Sequence, residues 1–183
     1  MEKKLILLTQ PEFFDGEAEL LNTLFRHGLP LLHLRKPGAT AAELSALIAQ
    51  IAPEFRDRIA LHNHDIHSCH TLEEVLRRKE TLKPTSFSPL NGEGTRERPS
   101  YLFLSPIFDS ISKQGYRSAF TAEELRRAHR DGIIDNHVVA LGGITPTRAR
   151  EALALGFGGV AILGDIWQSP DPVARLEEYK KMI

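Results

Sequence analysis

The 183-residue chain is poor in sulfur and in tryptophan, with one Cys, two Met and one Trp. A lone cysteine excludes an internal disulfide and points to a reducing compartment. Net charge is also missing: 23 Lys+Arg against 24 Asp+Glu leave −1. There is thus no global basic field to hold nucleic acid or an anionic membrane, and neither is expected as a partner. No apolar run approaches the roughly 18 residues of a membrane span. The start, Met1 to Thr9, has two lysines and a short apolar run. It lacks the longer apolar core and the small-residue cleavage site of a signal peptide. These absences lead to the expectation of a cytoplasmic protein. At about 150 residues per domain, the length predicts a single domain over residues 1–183. A hydrophobic share of 42% and a charged share of 26% exclude disorder, collagen and coiled coil for the chain as a whole.

What is present is an alternation. Short apolar runs occur at Lys4–Thr9, Pro30–Arg35, Arg58–Leu61, Tyr101–Pro106, His137–Leu141 and Gly159–Leu163. They are rich in Leu, Ile, Val and Phe with little alternation, as in strands covered on both faces of a parallel sheet. Amphipathic stretches follow them. Glu17–His27 carries a stripe of Leu20, Leu21, Leu24 and Phe25, and Ala41–Ala52 one of Leu44, Leu47, Ile48 and Ile51. Thr40/Glu43, Thr71/Glu74 and Thr121/Glu124 have capping-box spacing, and Thr145-Pro146 marks a further helix start. Gly28, Gly132 and Gly156 stop helices, and Pro172–Met182 closes the chain. Repeated strand–helix units imply parallel strands with crossover helices. No Gly-x-Gly-x-x-Gly follows the first strand, which counts against a dinucleotide-binding sheet. Lys79–Ser100, rich in Pro, Gly and charge, reads as a long surface loop, with Lys83–Ser88 as a candidate short strand.

Four segments carry candidate chemistry. Ala140-Leu-Gly-Gly-Ile-Thr145 and Gly159-Val-Ala-Ile-Leu-Gly-Asp165 are strand ends running into glycine and a helix start. Backbone N–H groups there can cradle a phosphate, and the loops after the last two strands of parallel barrels often do so. The plainer alternative is that Gly142, Gly143 and Gly164 only permit tight turns. Ser105–Gly115 offers Ser110, Ser112 and Lys113 to an anion, or is a solvated loop. In His33-Leu-Arg35-Lys36-Pro37, His33 and Arg35 share a strand face. Arg35 could clamp a phosphate with both arms of its guanidinium or sit in a rim salt bridge. Finally, His62-Asn-His64-Asp-Ile-His67-Ser-Cys69-His70 invites a metal reading but matches no zinc spacing. One or two of its histidines lining a site for proton transfer fits better. Asp65 is a candidate ligand for a hard cation such as magnesium, or a turn cap.

In order and placement these segments resemble the thiamine phosphate synthase/TenI family. Tyr101–Lys113 resembles its D-Y-x-x-x-G-P-[VI]-F-x-T-x-T-K segment, with serines at both threonine positions. Val138–Ile144 matches V-x-A-I-G-G-I, and Gly158–Gly164 matches G-x-x-G-V-A-V-V-S with Gly for the serine. Leu32–Arg35 is similar to Q-L-R-x-K, keeping the arginine. Ser68-Cys-His70 with Thr71 and Glu74 resembles S-x-H-[ST]-x-x-E. The likeness runs from Leu5 to Ile166.

The resemblance implies a TIM-type (β/α) barrel, shortened to about seven strands, that acts in thiamine biosynthesis. The synthase condenses hydroxymethylpyrimidine diphosphate with thiazole phosphate, with magnesium on the diphosphate. Arg35, Ser68, His70 and Lys113 would then be catalytic. His33, Ser110, Ser112, Gly142, Gly143 and Gly164 would bind substrate or phosphate, and Asp65 would hold the metal. The implied partners are small phosphorylated pyrimidine and thiazole substrates, with room for a homo-oligomer. TenI-like relatives instead tautomerise a thiazole carboxylate phosphate without a metal, with His70 at the acid/base position. A degenerate, non-catalytic phosphate-binding barrel is a third reading.

Length says where the chain departs from the family. An eight-unit barrel usually needs about 250 residues. The segment ending near His64 runs almost directly into Ser68-Cys69-His70. The family's G-[VI]-H-L-G-Q-x-D segment, which supplies its fourth strand and an acidic magnesium ligand, has no counterpart. A stave is therefore expected to be missing after the third strand.

Overall fold

The computed structural model describes residues 3–62, 68–80, 82, 100–110 and 117–183. Seven strands form one parallel sheet: β1 (Lys4–Leu8), β2 (Leu31–Leu34), β3 (Ile59–Leu61), β4 (Ser68–Cys69), β5 (Leu102–Leu104), β6 (Val138–Leu141) and β7 (Gly159–Ile162). Their spatial order is β3-β2-β1-β7-β6-β5-β4. All six expected apolar runs contain a strand, shorter by a residue or more. The seventh begins at Ser68; Ile66, its expected start, is outside the described residues.

Helices α1 (Glu17–Arg26), α2 (Ala41–Ala49), α3 (Leu72–Lys79), α4 (Ala122–Arg130), α5 (Pro146–Ala154), α6 (Gly164–Trp167) and α7 (Pro172–Lys180) complete the units. A 3₁₀ turn, Pro53–Arg58, precedes β3. It cuts short the helix expected to reach Ala52, since Pro53 cannot continue it. Thr40 and Thr121 form full capping boxes with Glu43 and Glu124. The third box is altered. Thr71 accepts from Glu74 N, but the Glu74 carboxylate takes the backbone N–H of His70 at 2.6 Å.

Strand alternation divides the core in two. Leu5, Leu7, Leu32, Leu34, Ile59, Leu102, Leu104, Val138, Val160 and Ile162 face the helices. Ile6, Leu8, Phe103, Val139 and Ala161 form an inner cluster with Tyr101. Each fully buried Leu, Ile or Phe contributes about 1.5–3 kcal/mol, so both layers hold the strands in register.

The sheet is a curled, incomplete barrel. Among the described residues β3 pairs only with β2, and β4 only with β5. The break falls where the sequence predicts the missing stave. Leu61, on the helix-facing side of β3, is 45% exposed, which is unusual for this otherwise covered face. Lys83–Ser88, the candidate to fill the break, lies outside the described residues, as does most of Lys79–Ser100.

Candidate active site at the strand ends

Parallel strands bring their C-terminal ends to one rim, and the chain stitches that rim together. Arg35 N donates to Thr9 Oγ1 (2.8 Å), and the Thr9 hydroxyl donates to Arg35 O (3.0 Å). His62 N donates to Leu34 O, Ser105 N to Cys69 O and Ile107 N to Leu141 O, each at 3.0 Å. Trp167 Nε1 donates to Leu8 O at 2.8 Å, fastening α6 to the end of β1. Arg35, His62, Ser68, His70, Ser105, Gly142 and Gly164 thus lie at or just beyond the ends of successive strands.

Arg35 extends the inward row of β2 and is half-buried. Its guanidinium has no ion-pair partner among the described residues. The neighbouring Lys36 does not join it. Its Nζ donates to Glu17 Oε1 and Oε2 at 2.7 and 2.8 Å and to Glu12 O at 2.7 Å, and it lies over the Phe13 ring. Burial pushes the Glu17 carboxyl above the ordinary glutamate range, against the opposing pull of Lys36. Lys36 therefore anchors the loop after β2 to α1 and supplies no second charge to the mouth.

His33 faces inward as expected but is fully buried. Its Nδ1 is 3.2 Å from His62 Nδ1, and its Nε2 is hydrogen-bonded to the Tyr101 hydroxyl. The rings of His33, His62, Tyr101 and Phe103 pack with centroids 5.1–5.7 Å apart. Desolvation raises the Tyr101 pKa, so the phenol stays protonated. This polar chain under the rim was not anticipated for Tyr101. The tyrosine precedes its strand and lies 68 residues from His33, so no local spacing announces the pair.

The histidine-rich segment does not converge among its described members. His62 points inward, while Cys69 packs in the outer layer, where burial pushes its thiol up to about 11. His70 sits at the rim with Nδ1 2.9 Å from Ser105 O. A carbonyl only accepts, so Nδ1 donates in this contact. Ser68 is buried, one residue before Cys69 on the opposite face of β4. His64, Asp65, His67, Ser112 and Lys113 lie outside the described residues.

The glycine turn after β6 is a tight turn that only glycine permits. Gly142 and Gly143 have φ of +97° and +64°. A Cβ on Gly143 would lie 2.3 Å from Asp109 O and 2.8 Å from Phe108 O. Glycine is therefore required for the 105–110 loop to dock. Phe108 N donates to Gly142 O, and Arg148 Nη1 bridges Asp109 O and Gly143 O at 3.0 and 2.9 Å. The loop bearing Ser110 is thereby fixed against the turn. The amides of Gly143 and Ile144 have no acceptor among the described residues, which suits an anion. Gly143→Ala is expected to cost about 2–3 kcal/mol, from the left-handed backbone penalty and displacement of the loop. Thermal melting should read this as a fall of about 4–12 °C.

Metal-binding groups are sparse here. Among the described residues no three His, Cys, Asp or Glu side chains are placed to share an ion. Glu74, Asp109 and Asp165, the carboxylates following strand ends, are engaged by His70 N, Ser118 N and Arg175 respectively. These three are committed within the chain, and Asp65, the candidate magnesium ligand, lies outside the described residues.

Residues 67–166 match the family described as Thiamine monophosphate synthase. The thiamine-phosphate synthase of Shigella dysenteriae is 38% identical over 174 residues, covering 84% of this chain and 82% of that protein. That of Escherichia coli O1:K1 is 36% identical over the same span. A solved thiamine phosphate pyrophosphorylase from Bacteroides thetaiotaomicron superposes with a TM-score of 0.75 at 31% identity, covering 98% of this chain and 96% of that one. The Pyrococcus furiosus pyrophosphorylase shares the fold, with a TM-score of 0.68 at 20% identity, covering 98% and 94%. The match spans the chain from β4 to the start of α6, and the chain belongs to the thiamine monophosphate synthase family.

Proposed function

We propose that this chain, as one barrel domain over residues 1–183, joins hydroxymethylpyrimidine diphosphate to thiazole phosphate, giving thiamine phosphate and pyrophosphate. The observation that carries this reading is the likeness to synthases over 82% of their length; Arg35 and the glycine turns following strand ends support it. In the reaction, the bond between the pyrimidine methylene carbon and the diphosphate oxygen breaks, and its electron pair leaves on oxygen. The thiazole nitrogen lone pair then forms the new C–N bond. No proton transfer is needed for balance. The protein's task is to stabilise charge growing on the leaving group.

Arg35, Ser68, Ser110, Ser112 and Lys113 are the groups we assign to the diphosphate, with Gly142, Gly143 and Gly164 at the thiazole phosphate. His33 lies beneath the substrate, where Tyr101 and His62 hold it. The apolar inner layer of Ile6, Leu8 and Val139 gives the site a dry floor. Bound magnesium would neutralise the diphosphate, with Asp65 as its protein ligand. A cytoplasmic setting agrees with phosphorylated substrates. No helix among the described residues is long and apolar enough to cross a membrane.

The test is incubation with both substrates and magnesium. Thiamine phosphate and pyrophosphate should appear in equal amounts, and Lys113→Ala should lower the rate by about 10²-fold or more. No product from the wild type, with Lys113→Ala indistinguishable, overturns the reading. Binding of both ligands without turnover would leave a phosphate-binding protein instead.

The geometry of His70 favours a second reading. An imidazole oriented at the rim by Ser105 O suits the proton transfer of a thiazole tautomerase. That reading requires metal-independent turnover of the thiazole carboxylate phosphate that His70→Ala abolishes. Turnover unchanged by His70→Ala removes the histidine from the role.

A further inference from the structure

We propose that Tyr179 is a positioning residue for the phosphate subsite, bracing its two glycine turns from behind; this rests on the phosphate-cradle reading above. Tyr179 belongs to α7, outside every strand-end segment, and its ring is fully buried. Its hydroxyl is 2.8 Å from Asp165 Oδ2 and 3.2 Å from Ile144 O. Ile144 directly follows Gly143, and Asp165 directly follows Gly164. One shared proton thus spans the turns after β6 and after β7 at equivalent positions.

The carboxylate in this brace is compensated. A bare Asp165 beside an anion subsite would repel phosphate, but Arg175 Nη1 lies 3.3 Å from both of its oxygens. Burial, together with the Asp165 hydrogen bond, keeps the Tyr179 phenol protonated as the donor. Ile144 and Ile166, on either side of the contact, are packed in the outer core. The brace therefore reaches the turns from the helix side. Small displacements of binding groups are costly in an oriented site.

The substitution Tyr179→Phe keeps the ring and removes the brace. It is expected to raise the KM for thiazole phosphate about tenfold. The KM for pyrimidine diphosphate and kcat should stay within about twofold, because neither depends on these turns. Asp165→Ala should reproduce the selective rise, and Asp165→Asn, which keeps an acceptor for the hydroxyl, should restore part of it. A residue with only a structural role would lower the melting temperature and leave both KM values alone. Unchanged KM values, or an equal rise in both, in Tyr179→Phe and Asp165→Ala overturn the proposal. If the wild type makes no thiamine phosphate, the synthase reading falls, and the brace is read by calorimetry with thiazole phosphate. There a tenfold weaker affinity of Tyr179→Phe supports it, and equal affinities or no binding overturn it.

Discussion

Arg35→Ala is expected to lower kcat/KM for the pyrimidine diphosphate by about 10²–10³-fold, the usual effect of removing one preorganised donor from a developing anion. The melting temperature should hardly move. Arg35 is half-buried at the end of β2, and its backbone is clasped on both sides by the Thr9 hydroxyl. These contacts are made by the main chain and survive the substitution. The guanidinium has no ion-pair partner among the described residues, so its removal strands no carboxylate among them. Its charge is available to a ligand at a mouth floored by Ile6, Leu8 and Val139 beside the buried His33–Tyr101 pair. Arg35→Lys keeps the charge but loses the two-armed geometry, and should recover only part of the rate. Steady-state kinetics with parallel melts decide the matter. A large fall in melting temperature, or kcat/KM within about twofold of the wild type, counts against Arg35 as the diphosphate clamp.

Lys36→Met should have the largest effect on stability. Breaking a buried ion pair by removing one partner costs about 3–5 kcal/mol, here about 6–20 °C for a domain of this size. Lys36 and Glu17 are both buried and share two short contacts. Without Lys36, the Glu17 carboxylate is stranded beneath α1.

The pH dependence follows from the direction of the Glu17 shift. Burial raises its folded-state pKa, so protonation favours the folded state. That contribution is full below the unfolded glutamate value of about 4.3 and is lost as pH rises through the raised folded value. Lys36 opposes the rise in the wild type, so its removal enlarges it. The deficit of Lys36→Met should be greatest near neutral pH and shrink on acidification. Glu17→Gln in the same chain should recover most of the loss at pH 7. A pH-independent deficit would show that lost packing, not a stranded charge, is the cause.

The two substitutions separate what the sequence shows from what it hides. Arg35 and Lys36 are adjacent cations, and composition cannot assign them different tasks. Alternation along β2 sends His33 and Arg35 inward, as the sequence predicts. That Lys36 turns to Glu17, nineteen residues earlier, depends on how α1 packs beside the loop. The glycines behave similarly. Gly142-Gly143 at a strand end announces a special turn. The docking of Asp109 O within 2.3 Å of a would-be Cβ is set by the neighbouring strand's loop. His33 was legible as an inward residue, but its burial against Tyr101 and His62 was not.

By itself, the sequence determined the parallel strand–helix units, two reciprocal capping boxes, the inward row of β2 and the position of the absent stave. The units, boxes and inward row follow from periodicity and spacing within a dozen residues, where the backbone's own geometry decides, while the absent stave follows from the family resemblance. Tertiary structure alone decided that Lys36 serves the scaffold and that Glu74 caps toward His70. It also set Cys69 outside the barrel interior, and placed Tyr179 between the turns after Gly143 and Gly164. Each of these depends on elements far apart in the chain meeting at one point. Packing settles that meeting, and no local pattern encodes it.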